Sequence, residues 1–187
     1  MAKTHGHAHW FDHLNALQLT PQQRVWLSDR GSMTFRLQAR SKQFEVQRLR
    51  QRPMPVLADE YAALGVARRS RVAERDVILH CDGEPVIFGH TILPVATSAG
   101  VWPFFRRLGS QPLGGSLFID PLVTRGPFQF ARLHDEHPLA RRICQALGMR
   151  HLIQPLHARR SLFRRKGGVM LVTDIFLPAI GKLMATE

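Results

Sequence analysis

VAERDVILHC (residues 72–81), DGE (82–84) and PVIFGHTIL (85–93) form the stretch that decides the fold. The two outer runs are rich in Val, Ile, Leu and Phe. Between them Asp82-Gly83 supplies the pair of residues that tolerates positive φ in a type I′ turn. The segment therefore reads as a β-hairpin. A second hairpin is expected from Leu156–Arg164 and Val169–Leu177 around Lys166-Gly167-Gly168.

Outward from these hairpins the signals are mixed. Phe44–Leu49 reads as a strand that Pro53 and Pro55 break. Thr20-Pro21 is an N-cap and first-turn pair for a helix ending near Gly31, and Ser32 before Met33-Thr34 caps a second short helix to about Ala39. Further helices are expected from about Leu57 to Gly65, over Gly100–Leu108, briefly at Pro112-Leu113-Gly114, and over Pro138–Leu147. Strands grouped in hairpins, without βαβ alternation or a glycine-rich phosphate loop, predict an α+β domain with an antiparallel sheet. Residues 20–187 are expected to form that single domain, and residues 1–19, with His5, His7 and His9 in alternation, a flexible N-terminal arm.

Composition bounds the function. At 187 residues the chain is long enough to bury a substantial core. No apolar run approaches the roughly 18–20 residues that span a bilayer, and no signal-peptide core opens the chain. Cys81 and Cys144 make neither a disulfide framework nor a metal motif. A reduced, cytoplasmic protein is expected. The net charge of +12 is spread along the chain in arginine pairs rather than in a tail or an aromatic-interleaved motif. A cationic field of that kind draws in a small anionic substrate, and specific nucleic-acid binding is not expected.

Two charged residues stand out. Alternation in the last strand puts Asp174 on one face with Met170, Val172 and Phe176, while the other face is equally apolar. A carboxylate there has no wet side and must be neutralised or matched with a cation. Arg75 shares a face with Ala73, Val77, Leu79 and Cys81, and a guanidinium on an apolar sheet face suits bidentate capture of a ligand carboxylate. Either the two pair with each other or other core groups, or each faces a ligand. His134-Asp135-Glu136-His137 lacks metal-site spacing and reads as a solvated loop. No nucleophile motif is present.

At this point the chain resembles a known family, the chorismate pyruvate-lyases of bacterial ubiquinone synthesis. The resemblance rests on Trp26-Leu27 through Gly31-Ser32-Met33-Thr34, on Arg75 through Pro85, and on Thr91-Ile-Leu-Pro-Val95. It continues with Leu108-Gly109, Pro112-Leu113-Gly114, Leu117-Phe118, Arg159-Arg160-Ser161 and Leu171-Val-Thr-Asp-Ile-Phe-Leu-Pro178, all in the family's order. It implies a compact α+β domain whose ligand lies buried beneath helical flaps. The activity implied is cleavage of chorismate to 4-hydroxybenzoate and pyruvate by a monomer without metal or organic cofactor.

By the same resemblance Arg75 grips the ring carboxylate, Leu113 contributes a backbone N–H, and Met33 lines the pocket. Asp174 stands where the family usually has glutamate, at the end bearing the 4-hydroxyl and ether oxygens. Arg75 and Asp174 are thus the expected catalytic pair, with Asp174 protonated through burial. The segment from about Pro127 to Leu156 is longer than in compact family members, and its helix is expected to elaborate the flap or form an interface. The rival reading is a non-catalytic effector-sensing domain, since effector domains of some transcription regulators resemble this fold.

Overall fold

The computed structural model describes residues 6–184. Six strands form one antiparallel sheet: β1 (Phe44–Pro55), β2 (Arg71–Cys81), β3 (Glu84–Pro94), β4 (Thr124–Leu133), β5 (Leu156–Arg165) and β6 (Gly168–Phe176). Their spatial order is β1-β2-β3-β6-β5-β4. Both expected hairpins are present. Asp82 and Gly83 have φ of 51° and 82°, and Lys166 and Gly167 have 46° and 77°, the double positive φ of a type I′ turn. Pairing of β3 with β6 then joins the two hairpins back to front.

Local chemistry explains where the strands differ from expectation. β1 runs on through Pro53 and Pro55 because it is an edge strand, where a residue without an N–H costs no ladder bond on the open side. β4 forms the opposite edge. Gly126-Pro127 sits inside it as a bulge between Arg125 and Phe128 and hides the strand's alternation from a sequence reading.

The helices are short. They are α1 (Pro21–Ser28), α2 (Met33–Gln38), α3 (Tyr61–Leu64), α4 (Val95–Ser98), α5 (Gly114–Leu117) and α6 (Pro138–Ala146). The capping box expected of Thr20 is complete, with Gln23 answering it. The helix expected from about Leu57 is a single turn, α3, closed by Gly65 at φ 73°. The one expected over Gly100–Leu108 does not form; α4 ends just before it, and the stretch is turns and a 3-10 turn at Phe105–Arg107. That turn and Trp102 plug the end of the sheet, both Trp102 and Phe105 being fully buried.

The stretch expected to be a loose arm is docked from Trp10 onward. Phe11 exchanges both backbone hydrogen bonds with Phe130 of β4, Trp10 Nε1 donates to Asp59, and Leu17 is buried. Apolar side chains at positions 10, 11, 14 and 17 extend the core and supply the reason. His5 lies outside the described residues, and His9 packs edge-on against Phe11.

The sheet divides the core into two layers. On the back face α6 buries Leu139, Ala140, Ile143 and Cys144 against Ile78, Phe88, Ala131, Ala158 and Ile175. The 127–156 segment is therefore backing for the sheet and not an elaboration of the flap. On the front face α2 and α5 stand over the middle strands as two flaps. They meet where Gly114 comes so close that a Cβ there would lie 2.6 Å from Ser32 Oγ and 2.7 Å from Thr34 Oγ1. A residue without a side chain is what lets the flaps touch.

Candidate active site

The front-face strands and the two flaps enclose a cavity with an empty volume of about 680 Å³, its open mouth included. Arg75, Asp174, Met33 and Leu113 all line it. The walls between the charged ends are apolar, with Val77, Leu79 and Val172 from the sheet and Phe128 and Phe163 from its far side.

The register fixes the spacing of the two charged ends. Arg75 lies opposite Thr91, Thr91 opposite Val172, and Asp174 is two residues further along β6. Two strand spacings across and one pleat repeat along separate them by roughly 10 Å and 7 Å. They share a cavity without pairing with each other.

Arg75 is 2% exposed. Its Nη2 donates to the carbonyls of Gly109 and Gln111 at 2.9 and 2.7 Å, and its buried Nε has no hydrogen-bond partner. No carboxylate answers its charge among the described residues. Burial, and then the neighbouring Arg48, push its pKa down to about 10. That corresponds to a charge held at a cost of about 3 kcal/mol. A buried cation with a free donor on a cavity wall is arranged for an anion.

At the other end Asp174 is half-buried and accepts from Arg159 Nε at 3.1 Å across the β5–β6 pair. Arg159 is 2% exposed, and its Nη1 also donates to the carbonyls of Trp26, Leu27 and Asp29. The cation that an apolar-faced carboxylate requires is thus built into the fold. Asp174 is thus held by Arg159 and not left alone among apolar side chains.

The flaps contribute backbone donors. Met33 and Gly114 open α2 and α5, and first-turn amides have no acceptor within their own helix. Ser32 caps α2, its Oγ accepting from Phe35 N at 3.4 Å.

Two cavity-lining arginines escape a sequence reading. Arg159 sits in one of several Arg-Arg pairs, which by themselves give no direction, and only the β5–β6 register sends it inward. Arg125, half-buried at the edge of the cavity, precedes the β4 bulge. Alternation signals inward direction only where the strand is regular.

Among the described residues one group, Glu74, Asp76 and His90 on the back face, has the spacing of metal ligands. Its centre is occupied by guanidinium groups. Arg142 Nη1 lies 2.9 Å from Glu74 and 3.0 Å from Asp76, and Arg50 3.6 Å from Glu74. His137, expected in a solvated loop, is buried as the N-cap of α6 and faces Asp59 at 3.2 Å.

Comparison with known proteins agrees with this geometry. The family described as chorismate lyase matches residues 5–184. A probable chorismate pyruvate-lyase of Cupriavidus metallidurans is 48% identical over 181 residues, covering 96% of this chain and 85% of the relative. One from Methylobacillus flagellatus is 45% identical over 164 residues, 86% and 89% of the two chains. Among solved structures, the effector domain of PhnF from Mycobacterium smegmatis is similar in fold. Its TM-score is 0.54 at 16% identity over 79% of this chain and 89% of that one. A cavity built around an unanswered arginine, a carboxylate opposite it and near full-length matches at these identities have one reading: the chain belongs to the chorismate lyase family.

Proposed function

We propose that the protein cleaves chorismate to 4-hydroxybenzoate and pyruvate, as the first committed step of ubiquinone synthesis and in the cytoplasm. The observation that carries this reading is Arg75, a buried cation whose Nε has no partner and whose charge has no counter-ion among the described residues. The ring carboxylate of chorismate supplies both the missing acceptor and the missing charge, with first-turn amides of the flaps at Met33 and Leu113-Gly114 as further donors. The apolar walls then take the ring, and Asp174 meets the oxygens at the far end.

The chemistry needs little from the protein beyond position and charge. The C3–O bond to the enolpyruvyl group breaks, and the C4 hydrogen is transferred to the enolpyruvyl methylene, which becomes the methyl of pyruvate. The ring left behind is aromatic and keeps its 4-hydroxyl, so atoms balance without water, metal or redox cofactor. Holding the side chain against the ring in one conformation lowers the entropic part of the barrier. In the ion pair with Arg159, Asp174 is an acceptor for the 4-hydroxyl, and it orients the carbon whose hydrogen departs. Asp174 in place of the family's usual glutamate shortens the reach by a methylene, so the ring sits closer to β6.

The test is incubation of the purified protein with chorismate, following 4-hydroxybenzoate by chromatography and pyruvate by a coupled assay. Equimolar appearance of both supports the lyase. Intact chorismate alongside tight binding of 4-hydroxybenzoate would instead make the protein a ligand-binding domain of this fold.

A further inference from the structure

Chorismate and its aromatic product differ in charge. The substrate carries a second carboxylate on the enolpyruvyl group, and that carboxylate leaves with pyruvate. One wall of the cavity must therefore accommodate an anion during the reaction that 4-hydroxybenzoate never presents.

The cations on the front face divide clearly. Arg75 belongs to the ring carboxylate. Arg159 is already engaged, with Nε on Asp174 and Nη1 on three backbone carbonyls. Arg160 points to the back face, where Nε and Nη1 donate to Gln129 and to the carbonyl of Asp59. Arg125 is the least engaged of the four: among the described residues it has no ion pair, and the hydrogen bond it makes runs from Nη2 to the carbonyl of Arg30. Its guanidinium carbon lies 4.6 Å from the Phe128 ring centre and 5.3 Å from that of Phe118. Phe128 and Phe118 line the same cavity, one from the sheet and one from beyond the α5 flap. A guanidinium held at cation–π distance from aromatic rings has edge donors left for a carboxylate.

Its surroundings agree. Burial, then Arg159 and Arg30, lower the Arg125 pKa, against weaker opposing attraction from Asp174 and Asp29. Arg125 is thus at the Asp174 end, beside the oxygens to which the enolpyruvyl group is attached, and is short of negative charge. On this basis, and resting on the lyase reading, we infer that Arg125 is the specificity residue that binds the enolpyruvyl carboxylate of the substrate and makes no use of that contact in the product.

The consequence is a separation that Arg75 does not share. Arg125→Gln lowers kcat/KM for chorismate by about 30-fold or more, the scale of one lost charge-assisted hydrogen bond. It leaves the Kd for 4-hydroxybenzoate within about threefold, the margin for an indirect change. Arg125→Lys, which keeps the charge, recovers part of the loss. Retained product binding also certifies that the variant is folded. Unchanged kcat/KM, or equal weakening of substrate and product, overturns the assignment.

A measurement on the wild-type protein removes dependence on any variant. The aromatic analogue 3-(1-carboxyvinyloxy)benzoate is expected to bind more tightly than its side-chain methyl ester by about tenfold or more. Equal affinity of acid and ester overturns the role of Arg125. If the wild type neither binds 4-hydroxybenzoate nor turns over chorismate, the lyase reading itself has failed, which is a different result.

Discussion

Asp174 and Arg159 lie opposite one another in the β6–β5 register, with Arg159 Nε donating to Asp174 Oδ2 at 3.1 Å. The carboxylate end of the cavity is therefore charge-matched from within, whereas the arginine end is not. The asymmetry gives the two ends different work. On the proposed reading, Arg75 binds the ligand's ring carboxylate and Asp174 is the positioned acceptor at the other end.

Replacing Asp174 with asparagine removes the charge and keeps the size. The expected outcome is a fall in kcat of about tenfold or more, with the Kd for 4-hydroxybenzoate changed much less. Steady-state kinetics beside calorimetry checks it. Equal turnover in the variant would reduce Asp174 to a structural partner of Arg159.

Arg75→Met is expected to leave the ligand-free protein as stable as the wild type or more so. The variant relieves about 3 kcal/mol of unanswered charge, and the loss of two donors to the Gly109 and Gln111 carbonyls offsets part of it. Thermal denaturation without ligand reads this directly. A Tm several degrees lower would show that Arg75 is held for the fold.

Gly114→Ala puts a methyl group within 2.7 Å of Ser32 and Thr34 across the flap junction. The flaps must part to accept it. Faster release of 4-hydroxybenzoate is expected, by about tenfold for 1–2 kcal/mol of lost closure. Stopped-flow displacement of the product measures the rate, and an unchanged rate would mean that the flaps do not gate it.

The back face predicts a pH dependence. His90 is fully buried, with Nδ1 2.6 Å from Asp76 and Nε2 3.0 Å from Glu60. Burial pulls its pKa down, but the two carboxylates outweigh burial and raise it to about 10. Because the folded value lies above the unfolded one, the stabilisation is complete below about pH 6.5. It is lost as pH rises toward 10, with a slope of at most about 1.4 kcal/mol per pH unit. His90→Gln is expected to lose stability at pH 6 and to flatten this alkaline slope. Denaturant unfolding at pH 6 and pH 9 checks it, and parallel slopes in both proteins would refute it.

How much of this was legible in the sequence varies with the residue. Arg75 and Asp174 announced themselves because each interrupts an apolar face of a regular strand, where alternation fixes direction. Arg159 and Arg125 did not, because an arginine pair and a Gly-Pro bulge carry no directional signal until strand pairing supplies it. Asp82-Gly83 fixed one turn by its local conformational preference. The proline-bearing β1 was read too short because being an edge strand is a property of the whole sheet. The docking of Trp10, Phe11 and Leu17 was equally invisible, since their partners lie about 50 to 120 residues away.

The central claim is that the charge missing around Arg75 is a ligand's ring carboxylate, and calorimetric titration of 4-hydroxybenzoate into wild type and Arg75→Met tests it most directly. The wild type is expected to bind one equivalent, and the variant to lose about 100-fold in affinity, the worth of a buried charge-assisted contact. Equal affinity in the two proteins would contradict the account.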